Sequence, residues 1–230
     1  MRWVILGDIK NGIYRFHWLR TWSKIGLFSG LESLIKNVVY LIVVLRAMNV
    51  LNEQGSYWIA NTFIWNWLLL PILPLSDLMK QDVAACLSDE NAKKPFWLKL
   101  LPFVCFTIAS LILWLVTFPG WNWFVVTVLQ SEKSALVLNL VSKLVPCYAC
   151  FAFAGLISGV LYALGRTDLL ALKAALDNTV IVILFVLFNN GILFSDDVYA
   201  VASIFGVGLV FGTIINGALL IVVVKKQYYL

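Results

Sequence analysis

The side chains most able to do chemistry lie inside apolar runs. Glu32, Lys36, Asn37 and Arg46 interrupt one such run, and Asn61, Asn66, Asp77 and Lys80 the next. Lys173, Asp177 and Asn178 interrupt a third. An ionisable group in hydrocarbon is expensive, so each is a candidate for ion, proton or substrate handling. The alternative is a structural ion pair or a side chain reaching back to the headgroups. Glu32 and Lys36 are one helical turn apart and can pair. Arg46, fourteen residues beyond Glu32, is offset by about 40° on an α-helix. Glu32, Lys36 and Arg46 therefore form one broad stripe with Asn37 at its edge, which has to face a bundle interior or an aqueous cleft. Asn66 and Asp77 are eleven residues apart, within about 20° of a common face. Asp77 and Lys80 suit solvated pairing near a helix end, and Lys173 and Asp177 neutralise each other across one turn. The set reads as a cleft. Glu32 and Asp177 are expected to be its protonatable or ion-binding groups, Lys36 and Arg46 to set its charge, and Asn61 and Asn66 to supply hydrogen bonds.

Catalytic machinery is not visible. His17 is the one histidine, among aromatic and basic residues, and cannot alone build a metal site or triad. Cys147 and Cys150 have C-x-x-C spacing inside an apolar run without a second pair, and read as small buried residues. Phosphate-loop and dinucleotide fingerprints are lacking. The expectation is a protein that is not an enzyme and carries no cofactor.

The elements that would position these groups are membrane helices. The chain of 230 residues is 62% hydrophobic and 13% charged, against about 45–50% and 25% in soluble domains. Such a chain cannot hide its apolar surface in one soluble core. Six windows reach the roughly 20 apolar residues that a span requires: Ile25–Leu51, Tyr57–Leu78, Phe96–Phe118, Ala135–Leu164, Leu169–Leu193 and Val198–Val224. The fold class expected is an all-α integral membrane bundle of six helices. Residues 1–24 form a basic amphipathic leader with an interfacial helix over Ile13–Lys24, 25–226 the lobe, and 227–230 a tail. Pro71 and Pro74 predict a kink in the second helix. The pairs Gly26/Gly30, Gly155/Gly159 and Gly208/Gly212 predict close helix contacts. Lys143 has no local acid.

Thirteen Lys and Arg residues flank the helices on one side, among them Arg2, Lys10, Arg15, Arg20, Lys24, Lys80, Lys93, Lys94, Arg166 and Lys225, whereas Lys133 alone is on the other. Cytoplasmic connectors are rich in such residues, so both termini are expected in the cytoplasm of a multi-pass plasma or inner membrane protein. Basic residues that lie mostly in short segments between apolar runs, and not on one soluble face, argue against a nucleic-acid partner.

Taken in order, the helices resemble one six-helix half, the C-terminal lobe in particular, of a multidrug and toxic compound extrusion (MATE) family transporter. Three stretches carry the resemblance: Gly26-Leu-Phe-Ser-Gly-Leu-Glu-Ser-Leu34; Tyr57-Trp-Ile-Ala-Asn-Thr-Phe-Ile-Trp65 running on through Leu75-Ser-Asp to Gln81; and Gly159–Leu164 followed by Gly165-Arg-Thr-Asp168. The resemblance implies secondary active efflux of small organic or xenobiotic solutes by alternating access, in antiport with Na+ or H+. It also implies a second six-helix half, as a homodimer or a separate chain. This sequence departs from the family in supplying one lobe. Lys36 stands where that lobe often has a glutamate, and the helix-four acid of some members falls near Phe153. Two other readings stand beside this one: a flippase for a lipid-linked precursor, whose anionic head group the cationic stripe would suit, and a non-transporting membrane remnant or partner subunit.

Overall fold

The computed structural model describes residues 17–88, 96–189 and 197–228, and every regular element among them is helical. α1 (His17–Val39) runs into a π-helical segment, Tyr40–Leu45, and then α2 (Arg46–Val50). α3 (Gln54–Phe63) runs into a second π segment, Ile64–Leu68, and α4 (Ile72–Ser88) follows after a break. α5 (Phe96–Thr117), a 3-10 turn at Phe118–Gly120 and α6 (Trp121–Thr127) are continuous. α7 (Ser134–Ala163), α8 (Thr167–Asn189) and α9 (Val198–Tyr228) complete the chain.

Among the described residues, five stretches are long and apolar enough to cross a bilayer: Trp22–Val50, Leu98–Thr127, Ser134–Ala163, Thr167–Leu187 and Val198–Lys225. Gln54–Leu68 and Ile72–Cys86 qualify only as a pair, bent by 50°, so the number is five, or six if the bent pair is one span. These are the helices of a multi-pass membrane protein. Their outer faces carry Leu113, Leu115, Ile183, Ile214 and Val222, all more than half exposed, as a lipid-facing surface requires.

Local chemistry explains the boundaries. Pro71 occupies the break, where its missing N–H cannot continue the ladder, and Pro74 falls in the first turn of α4, where a proline is tolerated. The break exposes the Leu68 carbonyl, which accepts a hydrogen bond from Trp114 Nε1 at 2.9 Å. The third window was expected to end at Phe118. Instead Pro119 starts a 3-10 turn that feeds α6, because a proline at a helical N-terminus gives up no needed donor. α7 ends as a glycine-capped helix. Gly165 has φ +69°, and the amides of Gly165 and Arg166 donate to the carbonyls of Tyr162 and Leu161, both at 2.9 Å. Thr167 Oγ1 then donates to the Ile25 carbonyl at 3.3 Å, tying that turn to α1. Asn52, at φ 55°, closes α2 in the same way.

Several expectations are revised. Residues 17–24 of the expected interfacial helix are helical and form the start of α1; its residues 13–16, with Arg2, Lys10 and Arg15, lie outside the described residues. So do Lys93, Lys94, Asp196, the connector 89–95 and residues 190–193 of the fifth window. The helix reaches Tyr228 where the tail was expected. Of the three glycine pairs, Gly26 and Gly30 face open space, with nothing within 4 Å of a Cβ placed there. Gly159 accommodates Met79 of α4, and Gly208 accommodates Ile181 of α8. One large core gathers Met48, Ile64, Leu140, Leu144 and Ile204, and smaller ones form around Met79 with Val160 and around Leu161 with Leu170. The polar groups lie between these clusters.

Candidate functional site

Two neighbouring cavities hold the polar groups. The first, about 370 Å³, is lined by Ser33, Lys36, Asn37 and Tyr40 from the first span, Asn61 and Trp65 from the second, Tyr148 and Phe151 from α7, Asp177 and Asn178 from α8 and Phe205 from α9. The second, about 260 Å³, is lined by Glu32, Ser76, Asp77, Lys80, Tyr162 and Asn216, among others. Lys36, Phe151, Ala154 and Lys173 border both.

Charges are neutralised in pairs. Glu32 is 3% exposed and accepts from Lys36 Nζ, one turn along α1, and from the Tyr162 hydroxyl of α7. Lys173 Nζ lies 2.7 Å from Asp177 Oδ2, with both residues buried. Asn178 Nδ2 donates to Asp177 Oδ1 at 3.1 Å and to the Ala174 carbonyl at 2.8 Å. Gly212 makes room for this pair, since a Cβ there would meet Asp177 Oδ2 at 2.6 Å and Lys173 Nζ at 3.0 Å. Lys80 Nζ lies 2.7 Å from Asp77 Oδ1 and 4.9 Å over the Tyr162 ring. A buried ion costs several kcal/mol unless paired and hydrogen-bonded, and each buried carboxylate here has both a lysine and a neutral donor.

Neutral hydrogen bonds order the first cavity. Trp65 Nε1 donates to the Tyr148 hydroxyl at 3.0 Å, which donates to Asn61 Oδ1 at 2.8 Å. Asn37 Nδ2 donates to the Ser33 carbonyl at 2.9 Å. In the second cavity, Asn216 Nδ2 donates to Ser158 Oγ at 2.8 Å and the Ala154 carbonyl at 3.2 Å, while its buried Oδ1 has no partner among the described residues. Far from both cavities, Lys133 Nζ reaches Glu53 Oε1 at 2.6 Å, joining two connectors. Hydrogen bonds from Lys133 and Ser56 hold the Glu53 carboxyl below its usual range.

Six of the eight predicted site residues meet at these cavities: Glu32, Lys36, Asn37, Asn61, Asp177 and Asn178. Arg46 and Asn66 do not; both are exposed and line neither cavity. The expected stripe assumed an unbroken α-helix. The π segment Tyr40–Leu45 precedes Arg46, and Asn66 sits inside the segment Ile64–Leu68. A π segment inserts one residue into the ladder and rotates the downstream residues by about 100°. Asn66 and Asp77 are also separated by the break at Pro71. Lys143, without an acid, rests 4.4 Å over the ring of Tyr199.

Sequence reading missed Tyr148, Tyr162, Trp65 and Ser76. One signal was available: Tyr148 and Tyr162, fourteen residues apart on one helix, fall within about 40° of a common face. Among the described residues, no group of three His, Cys, Asp or Glu is placed to hold a metal ion. No protein-family model, curated protein or solved structure matches this chain.

Proposed function

We propose that the chain is one lobe of a secondary transporter that moves small organic solutes by alternating access. The observation that carries this reading is the pairing of buried Glu32 and Asp177 with lysines at the walls of adjoining cavities, between apolar spans. Lipid-facing helices have no use for such groups, whereas solute and ion pathways require them. Glu32 and Asp177 are the candidate coupling groups for Na+ or H+. In this reading the bent pair is one span, which gives six crossings and puts both termini in the cytoplasm. A repeat with an even number of crossings keeps its orientation when duplicated. Lys36 and Asn37, exposed at the flank of the first cavity, would be covered by a second lobe, from another copy or a separate chain. The flippase reading loses its main support, because Arg46 leaves the stripe and each lysine bordering the cavities has its own carboxylate.

Proteoliposomes holding a pH or Na+ gradient test the proposal. The expected outcome is gradient-driven accumulation of at least one solute from a panel of cationic, anionic and neutral aromatic compounds. Glu32→Gln combined with Asp177→Asn should abolish it while the protein still elutes as the wild-type particle. Accumulation of no solute, or wild-type rates in the double variant, would contradict the proposal.

A further inference from the structure

The first cavity is the solute site of the transporter reading, and its chemistry points to a class of ligand on which that reading is silent. We infer that it takes an uncharged aromatic carboxamide or a compound with the same paired donor and acceptor. The inference rests on the transporter reading only for the word solute; the binding chemistry stands on the cavity itself.

The ionic groups at the walls are already used. Asp177 is held by Lys173 and Asn178, and Glu32, which borders the adjoining cavity, by Lys36 and Tyr162. A ligand ammonium reaches Asp177 only by displacing Lys173, itself buried, which exchanges one ion pair for another and leaves a lysine uncompensated. Such an uncompensated buried charge is strongly destabilising. A ligand carboxylate meets the mirror-image problem. The aromatic walls, Tyr40, Trp65, Tyr148, Phe151 and Phe205, do attract cations, but more weakly than a buried ion pair holds its partner.

The neutral groups left over are specific. Asn61 Oδ1 is occupied by the Tyr148 hydroxyl, so this amide turns its Nδ2 donors to other partners. Asn37 and Asn178 are fixed the opposite way, their Nδ2 atoms bound to backbone carbonyls of their own helices. Each therefore offers Oδ1 as an acceptor. One amide donor and two amide acceptors, between aromatic rings in about 370 Å³, match a flat ring carrying a primary carboxamide: its C=O takes Asn61 and its NH₂ takes Asn37 or Asn178. A site built to bond such a group rejects an analogue that leaves its polar atoms unpaired.

The test uses three probes with one ring and different head groups: naphthalene-2-carboxamide, 2-naphthoate and 2-naphthylmethylammonium. Their binding to the purified full chain in lipid nanodiscs is read by isothermal titration calorimetry, with empty nanodiscs as the blank. The carboxamide is expected to bind roughly ten-fold tighter than either charged probe, and Asn61→Leu to weaken it by roughly ten-fold. If Asn61→Leu does not fold, Asn37→Leu at the exposed flank serves the same purpose. Equal or tighter binding of a charged probe, binding unchanged by both asparagine substitutions, or binding of none of the three would overturn the inference. Carboxamide binding together with proteoliposomes that carry no solute would leave the ligand class standing and remove the transport reading instead.

Discussion

At the scale of single residues, the site depends on small contacts that sequence shows only in part. The pairs Glu32–Lys36 and Lys173–Asp177 were legible because they lie one turn apart, and helix geometry alone brings them together. Their neutral partners were not. Tyr162 reaches Glu32 across 130 residues of sequence, and nothing local marks a tyrosine as the donor to a buried acid. The glycines divide in the same way. Gly26 and Gly212 sit in equivalent spacing patterns, yet one faces open space and the other an ion pair. Gly212→Ala should therefore lower stability by about 1–3 kcal/mol through overpacking, and Gly26→Ala should raise it by about 0.5–1 kcal/mol through helix propensity. Thermal denaturation in detergent checks both; equal effects would show that α9 does not press on Lys173 and Asp177.

At the scale of elements, hydropathy located the helices well because lipid selects for long apolar runs, and the bend at Pro71 and the cap at Gly165 followed from backbone chemistry. The register within a helix was less legible. A 100° step carries Arg46 and Asn66 into the cleft, and the π segments carry them out again. Periodicity cannot reveal an inserted residue: Tyr40–Leu45 has no charged or amide side chain to mark a face, and the single Asn66 in Ile64–Leu68 fits either ladder. The consequence is specific. Arg46→Leu and Asn66→Leu should each change stability by no more than about 0.5 kcal/mol and leave binding of the carboxamide probe intact, in contrast to Asn61→Leu. Loss of binding in Arg46→Leu, measured by the same titration, would restore the unbroken helix and remove the π register.

At the scale of the whole molecule, a membrane lobe can be read from composition, whereas its cavities are made by six helices meeting, α4 among them through Ser76 and Asp77, and are invisible to any one of them. Glu32 and Lys36 come from α1, Asn61 from α3, Tyr148 and Tyr162 from α7, Asp177 from α8 and Asn216 from α9. The central claim is that these groups face water within the thickness of the bilayer while the outer faces meet lipid. In a background with the four native cysteines replaced by alanine, the reaction of a water-soluble thiosulfonate with Asn61→Cys and with Leu113→Cys in nanodiscs measures it directly. The cavity position should react roughly ten-fold or more faster than the lipid-facing one; equal rates, or a faster reaction at position 113, would contradict the account.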